Sequence, residues 1–324
     1  MGGCLARAGR GIAVGDGIFL RAGYESTMVD DLRRFARSLG RLAWTRRLVA
    51  IAGAALPLCL ASAPAAAQAQ AQTHALRWDP SLDVTVTAGG AAAWIGSEVL
   101  KGDLAPTRCR WCSVDSMDAR VREALVWSDT GLADGLSNVT GFVLMPLAAV
   151  GLDAVAAARG GALGHVPEDA LLIAEAGVVA ADLTQLTKML VGRERPFVHA
   201  LPPEDKTLTA RPSDNNLSFF SGHSAEAFAL AAASGTVSTL RGYRWAPLTW
   251  GVGGVVAATT AYLRIAADKH WLTDVLVGAV VGAGTGFAIP FLFHSAVDER
   301  SPASASTTLS ARLLPAGTVM TFAW

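Results

Sequence analysis

The chain has 324 residues, of which 52% are hydrophobic and 17% charged, with positive mean hydropathy and 33 glycines. That length holds a sizeable core, and the composition suits small-residue helices packed closely at or in a membrane. Lys plus Arg and Asp plus Glu each total 27, so no net charge draws the chain to nucleic acid or an anionic surface, and any anion site must be local.

Residues 1–27 are rich in Gly and Arg and lack periodicity, and Met28 offers an alternative start. Residues 28–71 read as a signal peptide and linker. Arg46 and Arg47 precede an apolar run at 48–61 that is short for a span, followed by Ala63-Pro64-Ala65-Ala66-Ala67 and a Gln-Ala repeat. That order is a secretory signal, either cleaved after Ala67 or Ala69 or left in place as an anchor. The Thr45-Arg46-Arg47 step resembles a twin-arginine signal, but the apolar pattern after it is poor.

Residues 72–132 comprise a helix near 82–100 and a charged loop containing Cys109-Arg-Trp-Cys112. No second Cys pair completes a zinc site, and no strand-helix-strand pattern surrounds a redox motif. Cys109 and Cys112 are therefore expected to form a structural disulfide in an oxidising compartment. Further helices are expected near 133–157, 168–190, 222–241, 246–265 and 271–294. The fold class is all-α, an up-and-down bundle of about six helices embedded in a membrane. Gly278, Gly282 and Gly286, four residues apart, allow close helix contact. Two β-branched runs flank Pro315-Ala316-Gly317, so the 295–324 tail is expected to form a short β-hairpin.

Three clusters carry chemistry. Lys188 and Arg195, the latter restrained by Pro196, can converge on one anion, Arg as a planar fork and Lys as a point charge. Ser221 and Gly222 open a helix whose free N–H groups form an anion cradle, and His223 in its first turn can donate a proton. His270 and Asp274, four apart, are expected to share a helix face, so that the carboxylate takes one imidazole N–H and leaves the other nitrogen nucleophilic. Arg264 supplies a third cation. Each cluster alone reads as an ordinary cap, basic helix end or local pair. Together they gather at one end of an alternating helix set.

These residues resemble the type 2 phosphatidic acid phosphatase and vanadium haloperoxidase superfamily. Its motifs are Lys, six residues, Arg-Pro; Pro-Ser-Gly-His; and Ser-Arg, five residues, His, three residues, Asp. The matches are Lys188 with Arg195-Pro196, Ser221-Gly222-His223, and Arg264 with His270 and Asp274. Phe220 and Leu263 depart from the family's Pro and Ser. The resemblance covers residues 133–294 and leaves out the Cys loop and the tail. It implies a phosphatase needing no metal or other cofactor, in which His270 attacks phosphorus, Asp274 orients it and His223 protonates the leaving oxygen. Lys188, Arg195, Arg264, Ser221 and Gly222 would hold the phosphate.

The expected substrate is a phosphomonoester or pyrophosphate of a lipid. Alternatives are a soluble exported acid phosphatase acting on small-molecule phosphates, a vanadate-dependent haloperoxidase, and a non-catalytic protein that binds anionic lipid. The expected location is the inner membrane with the site facing the periplasm, provided helix 82–100 does not cross; if it crosses, the site faces the cytoplasm. Asn138-Val-Thr140 matches a glycosylation acceptor without functional weight, and His74, His165, His199 and His294 show no ligand spacing.

Overall fold

A computed structural model of the chain describes residues 73–297. The expected signal peptide and C-terminal hairpin lie outside the described residues. Within them the chain is helical, with isolated bridges at Leu76–Ala296 and Trp111–Arg193. The principal helices are α1 (Pro80–Val99), α2 (Ser116–Leu125), α3 (Thr130–Arg159), α4 (Val166–Val191), α5 (Gly222–Leu240), α6 (Ala246–Ala266) and α7 (Leu272–Phe293). A π-helical turn, Thr140–Leu144, interrupts α3.

Local chemistry sets these boundaries. Asp79, Asp115, Asp129 and Ser221 each accept backbone N–H groups at a helix start, satisfying donors that have no partner inside the helix. α4 ends at Gly192, whose φ of 60° a side chain would resist.

α5 is the central element, packed against α3, α4, α6 and α7. Its Ala, Ser, Gly and Thr residues let the neighbours come close, and most are buried. α7 approaches closest through the Gly278, Gly282, Gly286 ladder. A Cβ at Gly278 would sit 2.6 Å from the Ser221 carbonyl oxygen, and one at Gly282 or Gly286 would collide with the backbone of Ala225 or Ala229.

The outer faces are apolar. Phe142, Leu147, Leu186, Val255, Val280, Phe287 and Phe293 all project outward, as lipid-facing side chains do. Thr130–Arg159, Leu163–Val191 and Leu272–Phe293 are long and apolar enough to cross a membrane.

α1 does not lie apart from this bundle. Asp83 meets Glu175, Gly90 meets Val178 and Asp182, and Ser97 accepts from Gln185 Nε2 at 3.2 Å. α1 therefore runs parallel to α4 and crosses whatever that stretch of α4 crosses, which removes the condition under which the periplasmic orientation was expected.

Candidate active site

Four helix ends meet at one end of the bundle: the last turn of α4, the first turn of α5, the last turn of α6 and the first turn of α7. They bring together all the residues of the three motifs. His270 lies in the turn between α6 and α7 and is 2% exposed. Burial, and then the positive charges of Arg195, Arg264 and Lys188, hold its pKa well below the ordinary histidine range.

The imidazole is oriented differently from the expected arrangement. His270 precedes α7, so it does not share a helix face with Asp274. Its Nδ1 lies 2.8 Å from the carbonyl oxygen of Ser218 and 3.7 Å from Asp274 Oδ2, too far for a hydrogen bond to the carboxylate. Because a carbonyl only accepts, Nδ1 carries the proton and neutral His270 keeps a lone pair on Nε2.

Asp274 is committed elsewhere. Its Oδ2 accepts the Trp271 N–H at 2.9 Å, closing the start of α7, and the Ser218 hydroxyl at 2.5 Å. Its Oδ1 accepts Arg193 Nη1 at 2.5 Å. Asp274 thus acts on His270 through Ser218, which donates its hydroxyl to the carboxylate and offers its carbonyl to the imidazole.

Arg193 is 1% exposed. It also donates to Asp118 at 2.6 Å and to Thr273 Oγ1 at 2.7 Å, and it lies 4.0 Å from the centre of the Trp111 ring. Arg193 sits inside the first cluster, but its position there does not reveal its partners. Asp118 and Ser218 carry no spacing signal, since their partners are distant in sequence.

The cations are held by short contacts. Arg195 is extended and its Nε donates to the Asp214 carbonyl at 2.8 Å; among the described residues its terminal nitrogens carry no hydrogen bond. Pro196 begins a short helical turn, Pro196–His199, after the main helix has already ended at Gly192. Arg264 Nη1 donates to Asp134 Oδ1 at 2.6 Å and to Ser137 Oγ at 2.9 Å. Burial works to raise the Asp214 pKa, but Arg195 and Lys101 outweigh it and keep the carboxyl below its usual range.

Lys188 approaches the α5 cradle closely, since a Cβ on Gly222 would stand 3.0 Å from its Nζ. Ser221 is fully buried, and its backbone N–H donates to the Asp274 carbonyl at 3.0 Å, which joins the starts of α5 and α7. His223 Nε2 lies 2.8 Å from Asn138 Oδ1, and its ring packs on Phe142 at 4.5 Å. Asn138, discounted as a glycosylation acceptor, is thus a neighbour of the site. The α3 residues that hold His223 and Arg264 had no legible motif.

Cys109 and Cys112 are joined by a disulfide. The loop they close docks on the first cluster: Arg110 N–H donates to the Gly192 carbonyl at 2.9 Å, and Glu194 N–H donates to the Trp111 carbonyl at 3.2 Å.

The family model of the PAP2 superfamily matches residues 169–298, which contain every motif residue above. That match covers less than half of the chain. Among solved structures, the chain is similar to one described as the first transmembrane PAP2 type phosphatidylglycerolphosphate phosphatase from Bacillus subtilis. The likeness has 19% identity and a TM-score of 0.41, and it covers 64% of this chain and 94% of that one. No curated protein matches. The PAP2 segment supplies the cradle and the His270 turn, while α2 and α3, ahead of it, supply Asp118, Asp134 and Asn138.

Proposed function

We propose that the chain is a phosphatase that hydrolyses a phosphomonoester or pyrophosphate, with a phosphorylated lipid as substrate. The observation that carries this reading is the bond between His270 Nδ1 and the Ser218 carbonyl, which leaves Nε2 with a lone pair beside three cations and a helix start. In the reaction, Nε2 forms a bond to phosphorus as the bond to the leaving oxygen breaks, and His223 gives that oxygen its proton. Water then attacks the phosphohistidine and gives a proton to His223, releasing phosphate. Lys188, Arg195, Arg264, Ser221 and the Gly222 N–H stabilise the oxygens as charge spreads over them. The apolar outer surface supports a lipid over a small soluble phosphate, because a site at the end of such a bundle would lie at a membrane boundary.

The test is phosphate release by the purified chain from a panel of lipid and soluble phosphates. His270→Ala is expected to lose turnover and the acid-labile phosphoryl label that wild type acquires when quenched. His223→Ala should slow esters with poor leaving groups far more than p-nitrophenyl phosphate. Near wild-type hydrolysis by His270→Ala would sink the assignment.

We further propose that the site opens on the periplasmic side, with Arg159, Arg241 and Arg244 at the opposite, cytoplasmic end, as the positive-inside rule prefers. Because α1 runs up the bundle beside α4, this orientation requires the chain to begin α1 from the cytoplasmic side. It therefore stands against the secretory signal expected at residues 28–71, which would carry the start of α1 across and turn the site to the cytoplasm.

A further inference from the structure

A second cluster of functional groups lies away from the proposed site. Asp83 in the first turn of α1, Glu175 in α4 and His294 just after α7 place one ligand atom each within 4.8 Å of one another. From Glu175 to Lys188 along α4 is about 20 Å at ~1.5 Å per residue, so this cluster takes no part in the chemistry described above. All three are buried, at 4%, 7% and 2% exposure. Among the described residues no Lys or Arg pairs with either carboxylate.

Two observations point to a bound cation. Glu175 Oε2 and His294 Nε2 are buried and without a hydrogen-bond partner, yet they face each other at 3.6 Å. Two donors at about 2.1 Å from one ion, near the tetrahedral angle, stand roughly 3.4 Å apart. Meanwhile His294 Nδ1 lies 3.1 Å from the Arg77 carbonyl. A carbonyl only accepts, so Nδ1 keeps its proton and Nε2 of the neutral ring directs its lone pair at the carboxylates, as metal-ligating histidines are commonly held. Asp83 is fixed in turn by the Asp79 N–H, which donates to Oδ2 at 2.9 Å.

Charge and donor type narrow the ion. Two buried carboxylates and a neutral imidazole leave two negative charges out of water, a burden that one divalent ion removes. Magnesium and calcium take oxygen ligands, whereas one imidazole with two carboxylates suits zinc and its neighbours.

We propose that Asp83, Glu175 and His294 bind a divalent transition-metal ion of the zinc class that clamps the start of α1 to α4 and to the residue that follows α7. The backbone already brings the same segments together: Arg77 N–H donates to the Ser295 carbonyl at 3.0 Å and Val297 N–H to the Ala75 carbonyl at 2.8 Å. A metal bound to the folded state alone would strengthen that closure.

The test uses the full chain in detergent, stripped with chelator and titrated with zinc, and separately with magnesium. One equivalent of zinc should bind and raise the melting temperature, and magnesium should not compete. Glu175→Gln and His294→Ala should each weaken zinc binding at least tenfold while phosphate release is kept. X-ray absorption on the zinc-loaded wild type should show imidazole and oxygen ligands and no sulfur; this measurement decides the matter even if both variants fail to fold. Absence of zinc binding, binding unchanged in both variants, or a sulfur shell would overturn the proposal. His294 would then serve as the protonated partner of the two carboxylates. Equal competition by magnesium would overturn the choice of ion class.

Discussion

At the scale of single residues, the orientation of His270 governs what the site can do. Its imidazole is fixed by a backbone carbonyl, and Asp274 reaches it through Ser218 and through space at 3.7 Å. Where a carboxylate bonds the imidazole directly, replacing Asp by Asn costs about 10⁴-fold in kcat. Asp274→Asn should therefore cost less, about 100-fold, because the Ser218 carbonyl still selects the tautomer. A loss as large as that of His270→Ala in steady-state kinetics would show that the carboxylate contacts the imidazole during turnover. The depressed His270 pKa has a signed consequence. The nucleophile is the neutral form, so it stays active as pH falls past 6.5, the ordinary histidine value, and is lost only when pH falls through its own lower pKa. A histidine NMR titration of the free protein should show the His270 signal unchanged across pH 6.5, and a shift there would contradict the depressed pKa.

At the scale of elements, the α5–α7 contact couples packing to chemistry. The glycine ladder brings the α7 backbone onto α5, and the same contact carries the bond from Ser221 N–H to the Asp274 carbonyl. Gly282→Ala would place a methyl group against the Ala225 backbone, which cannot move aside as a flexible side chain can. Overpacking of this kind typically costs about 1–3 kcal/mol. The variant should melt earlier and also lose activity, although residue 282 lies more than two turns from His270. Unchanged thermal unfolding together with unchanged phosphate release would show that the two helices separate without cost. The spacing of the three glycines was legible in the sequence, but their partner helix was not. A four-residue repeat marks a face and does not say what covers it.

At the scale of the whole molecule, α1 decides which side of the membrane the site opens on. Its parallel course beside α4 puts its start at the Glu175 end and its finish at the Asp214 end, where Lys101 pairs with Asp214 at 3.1 Å. In a background lacking Cys4 and Cys59, Arg211→Cys reports on the site end and Arg159→Cys on the other. With the proposed orientation, an impermeant maleimide labels the first in intact cells and the second only after lysis; the reverse pattern would place the site in the cytoplasm. The helix order and the three motifs could be read from the sequence alone, because apolar runs, caps and short fixed spacings are local properties of the chain. The tertiary structure alone decided that Ser218, Arg193 and Asp118 stand between Asp274 and the rest of the site, that Asn138 and Asp134 hold His223 and Arg264, and that His294 meets Asp83 and Glu175. Those partners come from distant helices, and only packing sets the distance between them.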